Sequence, residues 1–175
     1  MEKINLYIDF DGVILDTITI PYKEIEENKI DLKDNIKVGE FYKNYDFTKI
    51  VHDGNVINDS INCIKKIIDS KRFNVSILTH VNSLEEAVVK IKYIRKYFKD
   101  ITIIPGPKAI EKTKMIETKN AILIDDYAGN LRTWEKEGGI SIRFSPKGNG
   151  KGFLSVDRLD KILEFSYDSK ITINS

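Results

Sequence analysis

Two short apolar runs in this chain each end on aspartates. Ile4, Leu6 and Ile8 lead into Asp9-Phe10-Asp11-Gly12, and Ala121-Ile122-Leu123-Ile124 leads into Asp125-Asp126 more than a hundred residues on. A brief apolar run stopped by charge fits a strand buried on both faces, the kind found in parallel sheets. Open α/β sheets bind ligands at the carboxyl ends of their strands. If both runs lie in one sheet, three or four carboxylates share one crevice. Like charges that close are costly unless a cation neutralises them, and hard oxygen donors suit Mg²⁺.

The rest of the chain alternates between strand and helix patterns. Ile57, Ile61, Ile64 and Ile68 give a helical stripe within 56–72, followed by a strand at Phe73–Thr79. Ser83-Leu84-Glu85-Glu86 has the capping-box form, so a helix is expected to start there with Leu84, Val88, Ile91 and Ile94 facing inward. A strand at Ile101–Ile104 is expected to stop at Pro105-Gly106-Pro107, and a short helix to follow over 109–117. The Ala121–Asp125 strand, a helix over 129–137 ended by Gly138-Gly139, and a strand at Ile140–Phe144 come next. A glycine- and lysine-rich loop at 146–152 leads to a last helix over 156–165 and a frayed tail. Strands and helices in this order imply βαβ units: an α/β fold with a three-layer, Rossmann-like, doubly wound parallel sheet. Residues 16–55 differ in kind, being polar and rich in aromatics with weak helical periodicity. They read as a small helical cap inserted after the first strand, with 1–15 and 56–175 forming the core.

Charge and cysteine content narrow the function classes. The 28 basic and 27 acidic residues nearly cancel, which leaves no footprint for a nucleic-acid polymer or a membrane surface. No apolar stretch approaches membrane-spanning length, and no secretory pattern opens the chain. The lone Cys63 falls on a core-facing helix pattern and has no partner for an internal disulfide, which fits a reducing cytoplasm.

Four features now stand in order: Asp9-x-Asp11-Gly12 after strand one, Thr79 after strand two, a lysine ahead of strand four, and Asp125-Asp126 after strand four. This series resembles the haloacid dehalogenase superfamily of phosphotransferases across roughly residues 4–152. The resemblance implies a Mg²⁺-dependent phosphomonoesterase. Asp9 is then the nucleophile that forms an aspartyl-phosphate. Asp11 protonates the leaving oxygen and later deprotonates water, while its backbone carbonyl binds the metal. Thr79 and the lysine hold phosphoryl oxygens. Asp126 is taken as the direct metal ligand because Asn130 follows it by four, with Asp125 acting through water and Asn130 orienting the ligands; the reverse order, Asp125 direct, stays open. Lys108 is preferred as the lysine because it sits at a loop-to-helix junction, and Lys112 and Lys114 are the alternatives. Such chemistry needs this many charges. A carboxylate approaching a phosphate dianion at ~4 Å meets a repulsion of roughly 8 kcal/mol at an effective dielectric of ~20, and cations must cancel it.

A narrower resemblance rests on Leu123-Ile124-Asp125-Asp126-Tyr127-x-x-Asn130-Leu131-x-x-Trp134-Glu135, on Pro105-x-x-Lys108-Ala109 and on the Lys147–Gly152 loop. These look like the 5'(3')-deoxyribonucleotidase branch. It implies a nucleoside monophosphate as substrate and a cap over the base, where Phe41, Tyr42, Tyr45 or Phe47 could stack; Phe41 and Tyr45, with His80, are taken as substrate contacts. Trp134 reads as core. The competing readings are a phosphatase or phosphomutase for another small phosphorylated metabolite, and a non-catalytic phospho-acceptor of the receiver type. Against the latter, strand three ends in Pro105-Gly106 with no acid. The oligomeric state, monomer or homodimer, is left open.

Overall fold

The structure is a computed structural model and describes residues 3–166. Six parallel strands form one sheet in the order β3-β2-β1-β4-β5-β6, with β1 at Ile4–Ile8, β2 at Phe73–Val81, β3 at Thr102–Pro107, β4 at Ile122–Asp125, β5 at Ile140–Phe144 and β6 at Leu154–Val156. The helices are α1 at Thr19–Glu27, α2 at Asn35–Lys43, α3 at Ser60–Asp69, α4 at Leu84–Tyr97 and α5 at Ala128–Lys136. No helix among the described residues is long and apolar enough to cross a membrane.

The period of two along each strand separates the two faces. Leu6, Ile8, Ile77, Ile122 and Ile124 point to one side, where they pack with Ile64 and Ile67 of α3 and Ile94 of α4. Leu78 and Leu123 point to the other, where Leu131 and Trp134 of α5 cover them. Trp134 is fully buried; its indole donates to Ala121 O at 3.1 Å and meets Tyr7 edge-on. The chain therefore winds outward from β1 in both directions with helices on opposite faces. Right-handed crossovers require that change of face when the winding reverses. The reversal falls between β1 and β4, the place where such sheets open a crevice.

Residues 16–55 leave and rejoin this sheet at one point. Leu15 bridges Val56, Asp16 N–H donates to Asn55 O at 2.8 Å, and Ile57 N–H donates to Ile14 O at 3.1 Å. Between these contacts α1, α2 and a 3₁₀ turn at Phe47–Lys49 send Ile25, Tyr42, Phe47 and Ile50 into the main apolar cluster.

Several elements differ from the sequence expectations. The β3 strand runs on through Pro105 and Pro107. An edge strand tolerates proline because one side needs no partner, and β3 pairs with β2 alone. β6 has no signal in the sequence, because three residues are too short to carry an alternation. The helices expected over 109–117 and 156–165 are 3₁₀ turns at Lys112–Lys114 and Leu159–Glu164. The tail beyond 166 lies outside the described residues. The largest correction concerns α4. Leu84 is 81% exposed and Val88 48% exposed, whereas Glu86, Ala87, Lys90, Tyr93 and Ile94 are buried. The helix is rolled so that charged side chains, not its first apolar residues, face the sheet.

Candidate active site

The ladder itself brings the two acidic sequences together. Leu6, Tyr7 and Ile8 pair with Ile122, Leu123 and Ile124, and Asp9 N–H continues the register by donating to Ile124 O at 2.9 Å. Asp9 and Asp125 thus leave neighbouring strands side by side. Lys112, 2% exposed, reaches between them and donates to Asp9 Oδ1 and Asp125 Oδ2, each at 2.7 Å. The lysine between the carboxylates is Lys112, not Lys108. Lys108 lies on the cavity wall with its ammonium 5.1 Å from the Tyr42 ring centre. Lys114 is exposed and pairs loosely with Glu137 at 3.8 Å.

The acidic pair is divided by its surroundings. Asp125 is fully buried, and both its oxygens are engaged: Oδ1 accepts from Tyr127 N–H at 2.8 Å, and Oδ2 accepts from Asn130 Nδ2 at 2.9 Å as well as from Lys112. Asp126 turns to the cavity instead and packs against Gly12, where an added Cβ would collide with its carboxylate. Gly12 has φ +71°, a left-handed conformation that glycine adopts without strain. One oxygen each from Asp9, Asp125 and Asp126 lie within 4.8 Å of one another. All are hard donors of the kind that hold Mg²⁺. Their electrostatics ask for a cation too. Burial raises the Asp9 pKa well above the usual carboxylate range; Lys112 opposes this, and Asp125, Asp11 and Asp126 add to it. Burial and the neighbouring Asp125 and Asp11 push Asp126 up to about 7. Burial alone would lower the Lys112 pKa, but Asp9 and Asp125 more than reverse it and hold the ammonium charged.

Asp11 lies on the same rim. Oδ1 accepts from Thr17 Oγ1 at 2.6 Å and Oδ2 from Lys90 Nζ at 2.6 Å. Burial pushes its pKa up, but Lys90 and Thr17 outweigh this and hold it below the ordinary value. Thr79 is buried at the end of β2, with Oγ1 donating to His80 O at 3.2 Å and lying 3.4 Å from Asp11 Oδ2. His80 reaches the cavity wall, and its Nε2 meets Ile110 O at 2.9 Å, while burial lowers its pKa.

A cavity of about 570 Å³ opens over these groups. Its far wall comes from the insert and includes Ile18, Tyr22, Tyr42 and Phe47. Phe41 and Tyr45, expected there from sequence, line a separate groove with Lys37 and Lys49, where Tyr45 OH donates to Glu24 Oε1 at 3.3 Å. One residue along α2 turns a side chain by about 100°, and that step puts Tyr42 rather than Phe41 on the cavity side. Thr17, Glu86 and Lys90 escaped the sequence reading. A glutamate four residues ahead of a lysine on a helix is the ordinary pattern of an exposed ion pair, so nothing in it signals a buried one.

No protein-family model matches the chain, and no curated protein matches it significantly. Solved structures do match. The putative HAD-hydrolase YfnB from Bacillus subtilis, bound to magnesium, superposes with a TM-score of 0.59 at 12% identity, over 94% of this chain and 98% of that one. A HAD phosphatase from Thermococcus onnurineus gives 0.59 at 14% identity, over 92% and 96%. A variant of CbbY from Rhodobacter sphaeroides, in complex with xylulose-(1,5)bisphosphate, gives 0.54 at 12% identity, over 91% and 96%. The architecture built here from two acid-tipped strands is the fold of the haloacid dehalogenase hydrolases.

Proposed function

We propose that the chain is a Mg²⁺-dependent phosphomonoesterase working through an aspartyl-phosphate on Asp9. The observation that carries this reading is the Asp9–Lys112–Asp125 cluster at the sheet's switch point, with Asp126 and Asp11 on the same rim. Asp9 and Asp126, with the backbone carbonyl of Asp11, would hold Mg²⁺; Asp125 and Asn130 would orient them. Bound there, the ion supplies the positive charge that offsets the repulsion between Asp9 and a phosphate dianion.

The protein's own residues then divide the work. Asp9 attacks phosphorus, and the ester P–O bond breaks with its electron pair on the leaving oxygen. Asp11 gives that oxygen a proton. Water next attacks phosphorus, Asp11 takes its proton, and the bond to Asp9 breaks to release phosphate. Asp11 is held ionised before substrate arrives; the like charge of an incoming dianion raises its pKa, so it takes up a proton from water as substrate binds and that proton is the one it gives. Lys112 keeps Asp9 aligned and opposes the rise in its pKa, and Thr79 supports the phosphoryl oxygens.

The finer reading is a nucleoside monophosphate as substrate. It is supported by Tyr22, Tyr42 and Phe47 lining the same cavity as the acidic rim, since stacking on such rings contributes ~1–3 kcal/mol per base. The sugar bisphosphate bound to CbbY supports a second reading, a small sugar phosphate, because the cavity is open enough for either. Phosphate release from nucleoside monophosphates and sugar phosphates tests both. Release is expected to need Mg²⁺, to stop with EDTA and to vanish in Asp9→Asn. Equal turnover of the two substrate classes would remove the nucleotide preference and leave the phosphatase.

A further inference from the structure

Lys90 is among the largest fully buried side chains of the described residues, and it is a lysine. A buried ammonium is costly unless its environment is built for it. Its Nζ lies 2.6 Å from Asp11 Oδ2, 2.7 Å from Glu86 Oε1, 2.9 Å from His80 O and 3.3 Å from Thr79 Oγ1. The Phe10 ring closes another side at 5.2 Å. Glu86 is anchored in turn: its Oε2 accepts from Asn82 N–H at 2.6 Å and from Asn82 Nδ2 at 2.8 Å. Thr17, at the root of the insert, holds the other Asp11 oxygen. Both oxygens of Asp11 are therefore gripped, one from α4 and one from the insert, and Asn82 and Glu86 carry the chain of contacts to the cavity wall.

Fold stability alone does not account for this arrangement. A helix rolled to bury Leu84 and Val88 would shield apolar surface and leave Glu86 and Lys90 in water. This helix does the reverse, and what it gains is a fixed Asp11. We propose that Lys90, braced by Glu86, is a positioning residue that aims the Asp11 carboxyl at the leaving-group side of the cavity. The inference rests on the reading of Asp11 as the proton-transfer group. It separates Lys90 from Lys112: one lysine serves the nucleophile and the other serves the acid.

Leaving-group dependence tests it. p-Nitrophenolate departs with little need for a proton, whereas an alkyl oxygen needs one. With Mg²⁺ present, Lys90→Met is expected to lower kcat on a nucleoside 5′-monophosphate or glycerol phosphate at least about tenfold more than on p-nitrophenyl phosphate, with KM nearly unchanged, because misplacing a positioned acid forfeits part of its typical 10²–10⁴-fold contribution. If Lys90→Met does not fold, the double variant Glu86→Gln with Lys90→Met removes both buried charges together and is expected to show the same selectivity. Equal losses on both substrates, or no loss, would overturn the proposal. Asp11→Asn is the control. If it is selective while the Lys90 variants are not, the positioning role alone falls; if Asp11→Asn is itself unselective, the acid assignment falls and takes the proposal with it.

Discussion

At the residue scale, one ammonium balances two buried carboxylates. Lys112 touches Asp9 and Asp125 at equal distance, so the proposed nucleophile and its buried neighbour share a counter-charge. Removing it takes away the charge that opposes the rise in the Asp9 pKa, and a protonated carboxyl does not attack phosphorus. Lys112→Met is expected to cut kcat by about 10²-fold or more, the scale of losing a preorganised electrostatic partner. Lys108→Ala is expected to raise KM a few-fold and leave kcat alone, since Lys108 stands on the cavity wall over Tyr42. Steady-state kinetics on the two variants checks the proposed assignment; the opposite pattern would favour Lys108 as the catalytic lysine.

At the element scale, α4 shows how a site can override hydrophobic patterning. The helix starts where its capping signal says it should, with Ser83 Oγ accepting from Glu86 N–H at 3.1 Å. Its orientation follows the Asp11–Lys90–Glu86 contacts and the burial of Tyr93 and Ile94 instead of Leu84. Leu84→Glu and Val88→Glu are accordingly expected to change unfolding free energy by no more than about 0.5 kcal/mol, as surface substitutions do. Ala87→Glu, one residue away and buried, is expected to cost several times that by burying an unpaired charge. Chemical denaturation of the three variants distinguishes the observed roll of the helix from the one that its apolar residues alone suggest. A large loss in Leu84→Glu would contradict the orientation.

At the scale of the whole molecule, the acid cluster couples stability to pH and, on the proposed reading, to metal. The Asp126 pKa is pushed up to about 7 in the fold, against ~3.9 when unfolded. Between those values the folded chain holds more protons than the unfolded one. The stability this group contributes is therefore complete below about pH 4 and lost as pH rises through about 7; Asp9 shifts in the same direction. On the proposed reading, Mg²⁺ would compete with these protons. The rise in melting temperature on adding millimolar Mg²⁺ is expected to be larger near about pH 8 than near about pH 5. A gain of equal size at both would detach Asp126 from the metal.

Sequence alone determined the parallel α/β sheet, because short apolar strands alternating with helical stripes allow few other folds. It also marked Asp9, Asp11 and the Asp125-Asp126 pair, because charge at the end of a buried strand is conspicuous wherever it falls, whereas Thr79 was legible only through the family resemblance. Tertiary structure alone decided which lysine meets Asp9 and which aromatics face the cavity. Lys108, Lys112 and Lys114 are alike in sequence, and only the 3₁₀ turn at Lys112–Lys114 aims one of them inward; Phe41 and Tyr42 are likewise separated by a single step around α2. The Glu86–Lys90 pair was hidden for the same reason. Whether a charged side chain faces water or another charge depends on what packs over it, and that surface is assembled from parts of the chain far apart in sequence.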